Sequence, residues 1–203
     1  MIKSVGDKQE NIINDILTLY NKGNPIEWDP CYNVGGFYKK GLVKDPEIKS
    51  DINPLLQGVF KLDVRDFVFE DRFNCVIFDP PFIVGGGKNG KMSNRFGKFE
   101  TVEELRHFFA SSLFSLQRAI KSGGLLIVKC QDFVNGRKNY IFMPEIISMA
   151  RDNMFECLDV FILVARSRLN RMKNQQHARK YHSYFLVFKN KKRLATCPIQ
   201  KGR

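Results

Sequence analysis

Several things are scarce in this sequence. No apolar run in its 203 residues approaches the ~18 that a membrane-crossing helix needs, and the amino terminus is polar, so a soluble, cytoplasmic protein is expected. Five cysteines lie far apart without a Cys-x-x-Cys pair, and there are only three histidines, so neither a disulfide framework nor a metal site is indicated. Cys31, Cys75, Cys130 and Cys157 read instead as small apolar side chains. Acid is missing from one whole region: Val160 to Arg203, the last 44 residues, holds 12 Lys/Arg and no Asp or Glu, whereas the charges before it balance. The net charge of +12 therefore sits at one end. Such a footprint suits a polyanion such as nucleic acid, the alternative being a solubilising basic tail.

At 43% hydrophobic, with no internal repeat and no interdomain linker, residues 1–203 suit a single domain with a sizeable core. Asp7 to Tyr20 has the spacing of an amphipathic helix, with Asp7 and Glu10 as a capping box, ended by Gly23 and Pro25. Short strands are expected at Ile26–Trp28, Ile48–Asp51, Val59–Asp63 and Leu125–Val128. Thr101 and Glu104 open a long helix whose stripe of Leu105, Phe108, Phe109, Leu113, Leu116 and Ile120 is core, and Gly123-Gly124 is read as its stop. Pro144 opens a further helix through Met154. Leu158–Ala165 and Tyr184–Phe188 close the chain as two strands with no helix between them, hence an antiparallel pair. Strands alternating with helices imply an α/β fold with a mainly parallel sheet.

One stretch stands apart. Cys75 to Phe78 is a continuous apolar run, which reads as a buried central strand, and Asp79-Pro80-Pro81-Phe82 arrives at its end. The prolines have no N–H to donate and fix φ near −65°, so the backbone leaves the sheet stiffly with the Asp79 carboxylate unclaimed by a ladder. The carboxyl end of a central strand is where open α/β sheets bind ligands.

Asp79-Pro80-Pro81-Phe82 resembles the catalytic motif of the S-adenosylmethionine-dependent amino-methyltransferases, which methylate exocyclic amines of nucleic-acid bases. The likeness extends to the small adenine-specific DNA methyltransferases of phages and bacteria. It is carried further by Asp29-Pro30-Cys31-Tyr32-Asn33 with Gly35-Gly36-Phe37-Tyr38, by Val128-Lys129-Cys130-Gln131-Asp132-Phe133, and by His177 to Phe185. The resemblance implies a Rossmann-like class I methyltransferase fold, a seven-stranded sheet with an antiparallel closing hairpin. It implies S-adenosylmethionine as cofactor and methyl transfer to N6 of adenine in DNA. RNA bases, N4 of cytosine, or a catalytically silent nucleic-acid-binding module remain alternatives.

It also implies roles. Asp79, Pro80, Pro81 and Phe82 are the catalytic candidates: carboxylate and Pro80 carbonyl accept the amine hydrogens, and Phe82 stacks on an extruded base. Asp29, Pro30, Tyr32 and Gly35 lie under the cofactor's methionine part, in a loop that departs from the family's Gly-x-Gly-x-Gly. Asp51 is the candidate for the ribose hydroxyls. Asp63, with Asp66 as competitor, and the backbone N–H of Val64 are candidates for the cofactor adenine. Gln131 or Lys129 reads the base edge, unless Lys129 merely reaches solvent. Gly85 to Gly97 is either a substrate-contacting flap or a plain surface loop. Arg166, Arg168, Arg171, Arg179 and His182 belong to a basic loop, 166–182, that would meet nucleic acid, and 189–203 is a basic tail.

Overall fold

The computed structural model describes residues 1–85, 98–165 and 176–192. Its elements in chain order are β1 (Val5–Gly6), α1 (Gln9–Tyr20), β2 (Trp28–Asp29), β3 (Ile48–Asp51), β4 (Phe60–Lys61), β5 (Phe73–Phe78), α2 (Val102–Ala119), β6 (Ile120–Cys130), β7 (Phe133–Asn135), β8 (Lys138–Tyr140), α3 (Met143–Asp152), β9 (Phe155–Val164) and β10 (His182–Asn190). Among the described residues ten strands make one 8-stranded sheet, in the order β1-β9-β10-β6-β5-β2-β3-β4, and a separate β7-β8 hairpin. Every neighbour pair in the large sheet is parallel except those of β10, which runs antiparallel between β6 and β9. The expected antiparallel closing pair is thus present. The count of seven is corrected to eight by β1, a two-residue strand too short to show a period-two pattern.

Period-two alternation sorts the central strands between two cores. Val76 and Phe78 of β5, with Leu126 and Val128 of β6, face the stripe of α2 and the buried Ile146 and Ala150 of α3. Cys75 and Ile77, with Leu125 and Ile127, face Ile12, Ile13, Ile16 and Leu17 of α1. Helices therefore cover both faces, and each fully buried Leu, Ile or Phe stabilises the layering by ~1.5–3 kcal/mol. Between β2 and β3 the chain makes consecutive turns, so the reduced early crossover expected from its length is what is found. No described helix is long and apolar enough to cross a membrane.

Three local expectations change. α1 begins after Lys8 without a side-chain cap; Glu10 instead pairs with Lys40 at 2.6 Å, which holds its carboxyl below the ordinary range. Thr101 does cap α2, accepting from Glu104 N at 3.0 Å, but Glu104 returns to Glu100 N at 2.8 Å. Gly123-Gly124 does not stop that helix. The buried Asn190 does, its side-chain amide donating to the carbonyls of Gln117 and Ile120 at 2.8 Å each. The glycines sit inside β6, where the pairing skips from Phe73↔Ile120 to Cys75↔Leu125. Gly123 has φ +80°, and a Cβ on Gly124 would lie 3.0 Å from the carbonyl of Asn74. Only glycine fits such a bulge.

Candidate active site

The sheet order lines up charged residues at the carboxyl ends of five adjacent strands. Phe78 pairs with Val128, so Asp79, just past β5, and Lys129, one residue before the end of β6, come out side by side. Next to β5 lie β2, β3 and β4, which end at Asp29, at Asp51, and just before Leu62 and Asp63. The row across the edge reads Lys129, Asp79, Asp29, Asp51, Asp63. Parallel strands at ~4.8 Å spacing bring these groups together although the sequence scatters them over a hundred positions.

Lys129 Nζ donates to Asp79 Oδ2 at 3.0 Å, with side chains 15% and 22% exposed. The ammonium also lies 5.1 Å from the ring centre of Phe37 and 5.8 Å from that of Phe185. Two aromatic faces and one carboxylate therefore fix it. Base edge and solvent were the alternatives read from sequence; its partner is the catalytic candidate itself. Pro80 is buried, and Pro81 and Phe82 are half-buried.

Asp29 is almost fully enclosed, 1% exposed. Its Oδ1 accepts from Cys31 N at 3.0 Å and its Oδ2 from the Tyr38 hydroxyl at 2.8 Å. Burial pushes its carboxyl up to about 7; those two hydrogen bonds pull it down, and the nearby Asp79 and Asp51 add to the rise. Tyr38 is pushed far up by its own burial and by Asp29. Tyr32 stacks on Tyr38 with ring centres 5.4 Å apart and donates to Asp45 at 2.9 Å; burial and Asp45 push it up to about 12. Gly35, at φ +66°, passes so close that a Cβ there would be 2.6 Å from the Tyr32 hydroxyl. Pro30, between Asp29 and this pair, is buried.

Asp51 accepts from Asn33 N on Oδ2 and from Asn53 N on Oδ1, both at 2.9 Å. Each bond uses one lone-pair direction of an oxygen that has two. Asp63 caps the short 3₁₀ turn Val64–Asp66, accepting from Arg65 N at 2.9 Å, and is clasped by the Arg65 guanidinium, which holds its carboxyl below the ordinary range. Val64 is buried, and its carbonyl accepts from Ser115 at 2.7 Å. Asp66 is exposed.

Beyond β6, Gln131 Nε2 donates to the Lys180 carbonyl at 3.3 Å. The buried Asp132 does more than the sequence suggested. Its Oδ1 accepts from the backbone N–H groups of Phe142 and Met143 at 2.8 and 3.1 Å, capping α3, which has no local side-chain cap. Its Oδ2 accepts from the Tyr184 hydroxyl at 3.1 Å, which in turn meets His182 Nε2 at 2.8 Å. Burial and Asp132 push Tyr184 up to about 12. Asp132→Ala should therefore lose about 2–3 kcal/mol in urea unfolding, since it strands two helix-terminal N–H groups and a hydroxyl. A loss below ~0.5 kcal/mol would show that the cap is dispensable. Arg179 is half-buried. Arg166, Arg168 and Arg171, and Gly86 to Gly97 of the expected flap, lie outside the described residues.

Sequence reading assigned no role to Tyr38, Asp132 or Tyr184 and missed the β7–β8 hairpin. A signal for the hairpin was there: Asn135-Gly136 between Phe133 and Tyr140 is a hairpin dipeptide flanked by aromatics. No local signal marks Asp132 as a cap, because its partners are separated from it in the chain.

Among solved structures, the chain is similar to the 1,6-didemethyltoxoflavin-N1-methyltransferase of Burkholderia thailandensis, with bound 1,6-didemethyltoxoflavin and S-adenosylhomocysteine. The identity is 12%, with 92% of this chain and 80% of that one covered, at a TM-score of 0.51. The fold is that of the Rossmann-like class I methyltransferases. Weaker likenesses include the N-methyltransferase NodS of Bradyrhizobium japonicum with S-adenosyl-L-homocysteine, at 9% identity, 92% and 89% coverage and TM-score 0.49. A proposed DNA modification methylase of Thermus thermophilus complexed with S-adenosyl-L-methionine matches at 17% identity over 65% of this chain and 54% of that one, TM-score 0.47. The chain thus spans about half the length of that methylase. No family model matches the sequence, and no curated protein matches it.

Proposed function

We propose that the protein is an S-adenosylmethionine-dependent methyltransferase acting on the exocyclic amine of a nucleic-acid base, N6 of adenine in DNA being the assigned target. The observation that carries this reading is Asp79, held by Lys129 through one oxygen at the carboxyl end of the central strand, beside Pro80, Pro81 and Phe82. The acid row beside it fits the cofactor by its chemistry. S-adenosylmethionine offers a sulfonium, an ammonium, two ribose hydroxyls and an adenine amine, all cations or donors. Asp29 and Asp51 offer acceptors, and Asp63 offers one in exchange for its Arg65 contacts. A cation set among Asp29, Asp51 and Asp79 would also offset the burial that raises the Asp29 carboxyl. In this assignment Asp51 takes the ribose, Asp63 or the Val64 N–H takes the adenine, and the loop of Pro30, Tyr32 and Gly35 backs the methionine part.

When bound, the cofactor supplies an electrophilic methyl group. The chain's own part is to make the amine nucleophilic. An exocyclic nitrogen is a poor nucleophile because its lone pair is shared with the ring. Asp79 Oδ1 and the Pro80 carbonyl each accept one amine N–H, drawing the nitrogen toward tetrahedral geometry with its lone pair aimed at the methyl. Phe82 stacks on the base, and Lys129 keeps the carboxylate from turning away. The acceleration is one of positioning and electrostatics. The acid-free carboxyl-terminal region supports a nucleic-acid substrate.

Labelled methyl transfer to duplex DNA, single-stranded DNA and RNA in parallel, followed by nucleoside analysis, tests the reading; N6-methyladenine from DNA is expected. S-adenosylmethionine should raise the melting temperature, and Asp51→Ala should weaken its binding more than tenfold, about 1.4 kcal/mol, with the fold intact. Absence of cofactor binding by calorimetry at millimolar concentration would sink the methyltransferase reading.

A further inference from the structure

We infer that the β7–β8 hairpin is an arm that grips the backbone of duplex DNA, with Arg137 and Lys138 meeting phosphates near the target base. The identity of the partner rests on the function proposed above; the arm itself rests on geometry.

The hairpin follows Cys130 almost at once, so it rises from the same sheet edge as Asp79 and Lys129. Its tip, Gly136-Arg137, has φ values of +54° and +64°, as in a type I′ turn. Glycine or asparagine takes the second of these positions at little cost, whereas an arginine there costs ~1 kcal/mol. The tip thus keeps an unfavourable but exposed cationic residue beside the exposed Lys138, whose ammonium lies 5.1 Å from the ring centre of Tyr140, and two cations held at one tip suit an external anion.

The arm is stiff. Phe133 and Tyr140 stack across its root at 5.2 Å, and Phe133 also packs on the buried Phe142 at 5.6 Å. Arg106 lies 6.0 Å from Tyr140 while its guanidinium forks onto Glu145 at 2.7 and 3.0 Å. The tip is buttressed on two sides. His177 Nε2 meets the Arg137 carbonyl at 2.5 Å, and a Cβ on Gly85 would lie 3.3 Å from Asn135 Oδ1. Gly85 also donates its N–H to Phe99 O at 2.8 Å, in the stretch that follows the catalytic candidates, so the arm is registered to the site. Val134 is exposed along the shaft below the basic tip, and Ile141 is exposed just beyond the root. Apolar flanks with a cationic end suit a sugar–phosphate backbone better than a lone anion, and a preformed arm loses little entropy on binding.

The test is duplex binding by fluorescence anisotropy over a series of salt concentrations, with the full chain and a double variant, Arg137→Gly with Lys138→Gln. Glycine suits the positive φ, so the turn is kept. Duplex affinity should fall about tenfold or more, and the slope of log K against log salt should flatten by about 1.8, roughly 0.9 per phosphate contact. An unchanged melting temperature confirms the fold. A charge-matched control, Lys22→Ala with Lys121→Ala toward the amino ends of β2 and β6, should leave the slope within about 0.5 of wild type. An unchanged slope in the hairpin variant, or an equal loss in the control, overturns the arm. A loss confined to single strands or RNA overturns the duplex assignment. The two readings fail separately. Arm-dependent binding without methylation by the wild type rejects the reaction, whereas methylation indifferent to the double variant rejects the arm.

Discussion

Asp79→Asn should lower methyl transfer at least ~10³-fold, about 4 kcal/mol of barrier, while cofactor affinity stays within about tenfold. Asparagine has nearly the size of aspartate, so the loss isolates charge and acceptor capacity. The amide keeps one acceptor, but its NH₂ can face the incoming amine or the Lys129 ammonium, and either contact is repulsive. Lys129 adds a second arm to the same experiment. If it acts by holding Asp79 Oδ2 at 3.0 Å, Lys129→Met should cost less than Asp79→Asn, and the double variant should be no worse than Asp79→Asn alone. Lys129→Arg, which keeps a cation between Phe37 and Phe185, should recover part of the rate. Single-turnover kinetics with labelled cofactor give the rates, and calorimetry gives the affinities. An Asp79→Asn enzyme retaining a tenth of the wild-type rate would reduce the motif to a turn. Strictly additive losses would make Lys129 an independent substrate contact.

Asp29→Asn should make the protein more stable at high pH than at low, relative to wild type. Asp29 is enclosed and its carboxyl is raised to about 7, so between the unfolded value near 4 and that folded value the native state holds a proton that the unfolded state has released. Wild-type stability therefore falls as pH rises through this window, and the loss is complete above about 7. The full effect is on the order of 4 kcal/mol. Asparagine carries no charge, can still accept from Cys31 N, and can turn its NH₂ toward the Tyr38 oxygen. The gap between variant and wild type, followed by urea unfolding without cofactor, should open from pH 4 to pH 8 and then stay level. A gap that does not grow with pH would mean that the carboxylate is solvated or already paired. The same substitution should weaken S-adenosylmethionine binding, because it removes one acceptor of the row.

The fold was legible where one residue's neighbours in the chain are also its neighbours in space. The apolar run Cys75–Phe78 and the α2 stripe declare burial by composition and period alone, and both are found, save that Phe108 is half-buried and Ile120 opens β6 instead of closing the helix. Asp79-Pro80-Pro81-Phe82 was legible for the same reason, since two prolines dictate their own backbone. Strand ends with acids, at Asp29 and Asp51, were likewise readable. Everything that depends on which strands lie side by side was not. Lys129 belongs to Asp79 because β6 lies next to β5 in parallel register, a fact of long-range pairing that no local pattern carries. Asn190 ends α2, Asp132 begins α3, and Tyr38 locks Asp29, each across a sequence gap that the fold closes. The glycine pair shows the limit most plainly. Gly123-Gly124 reads locally as a helix stop, and only the closeness of the Asn74 carbonyl makes it a bulge within a strand. Sequence alone determined which stretches are buried and which strand ends in a carboxylate and two prolines, because burial and backbone preference are local free energies. Tertiary structure decided which charges meet, because that is set by the order of strands in the sheet.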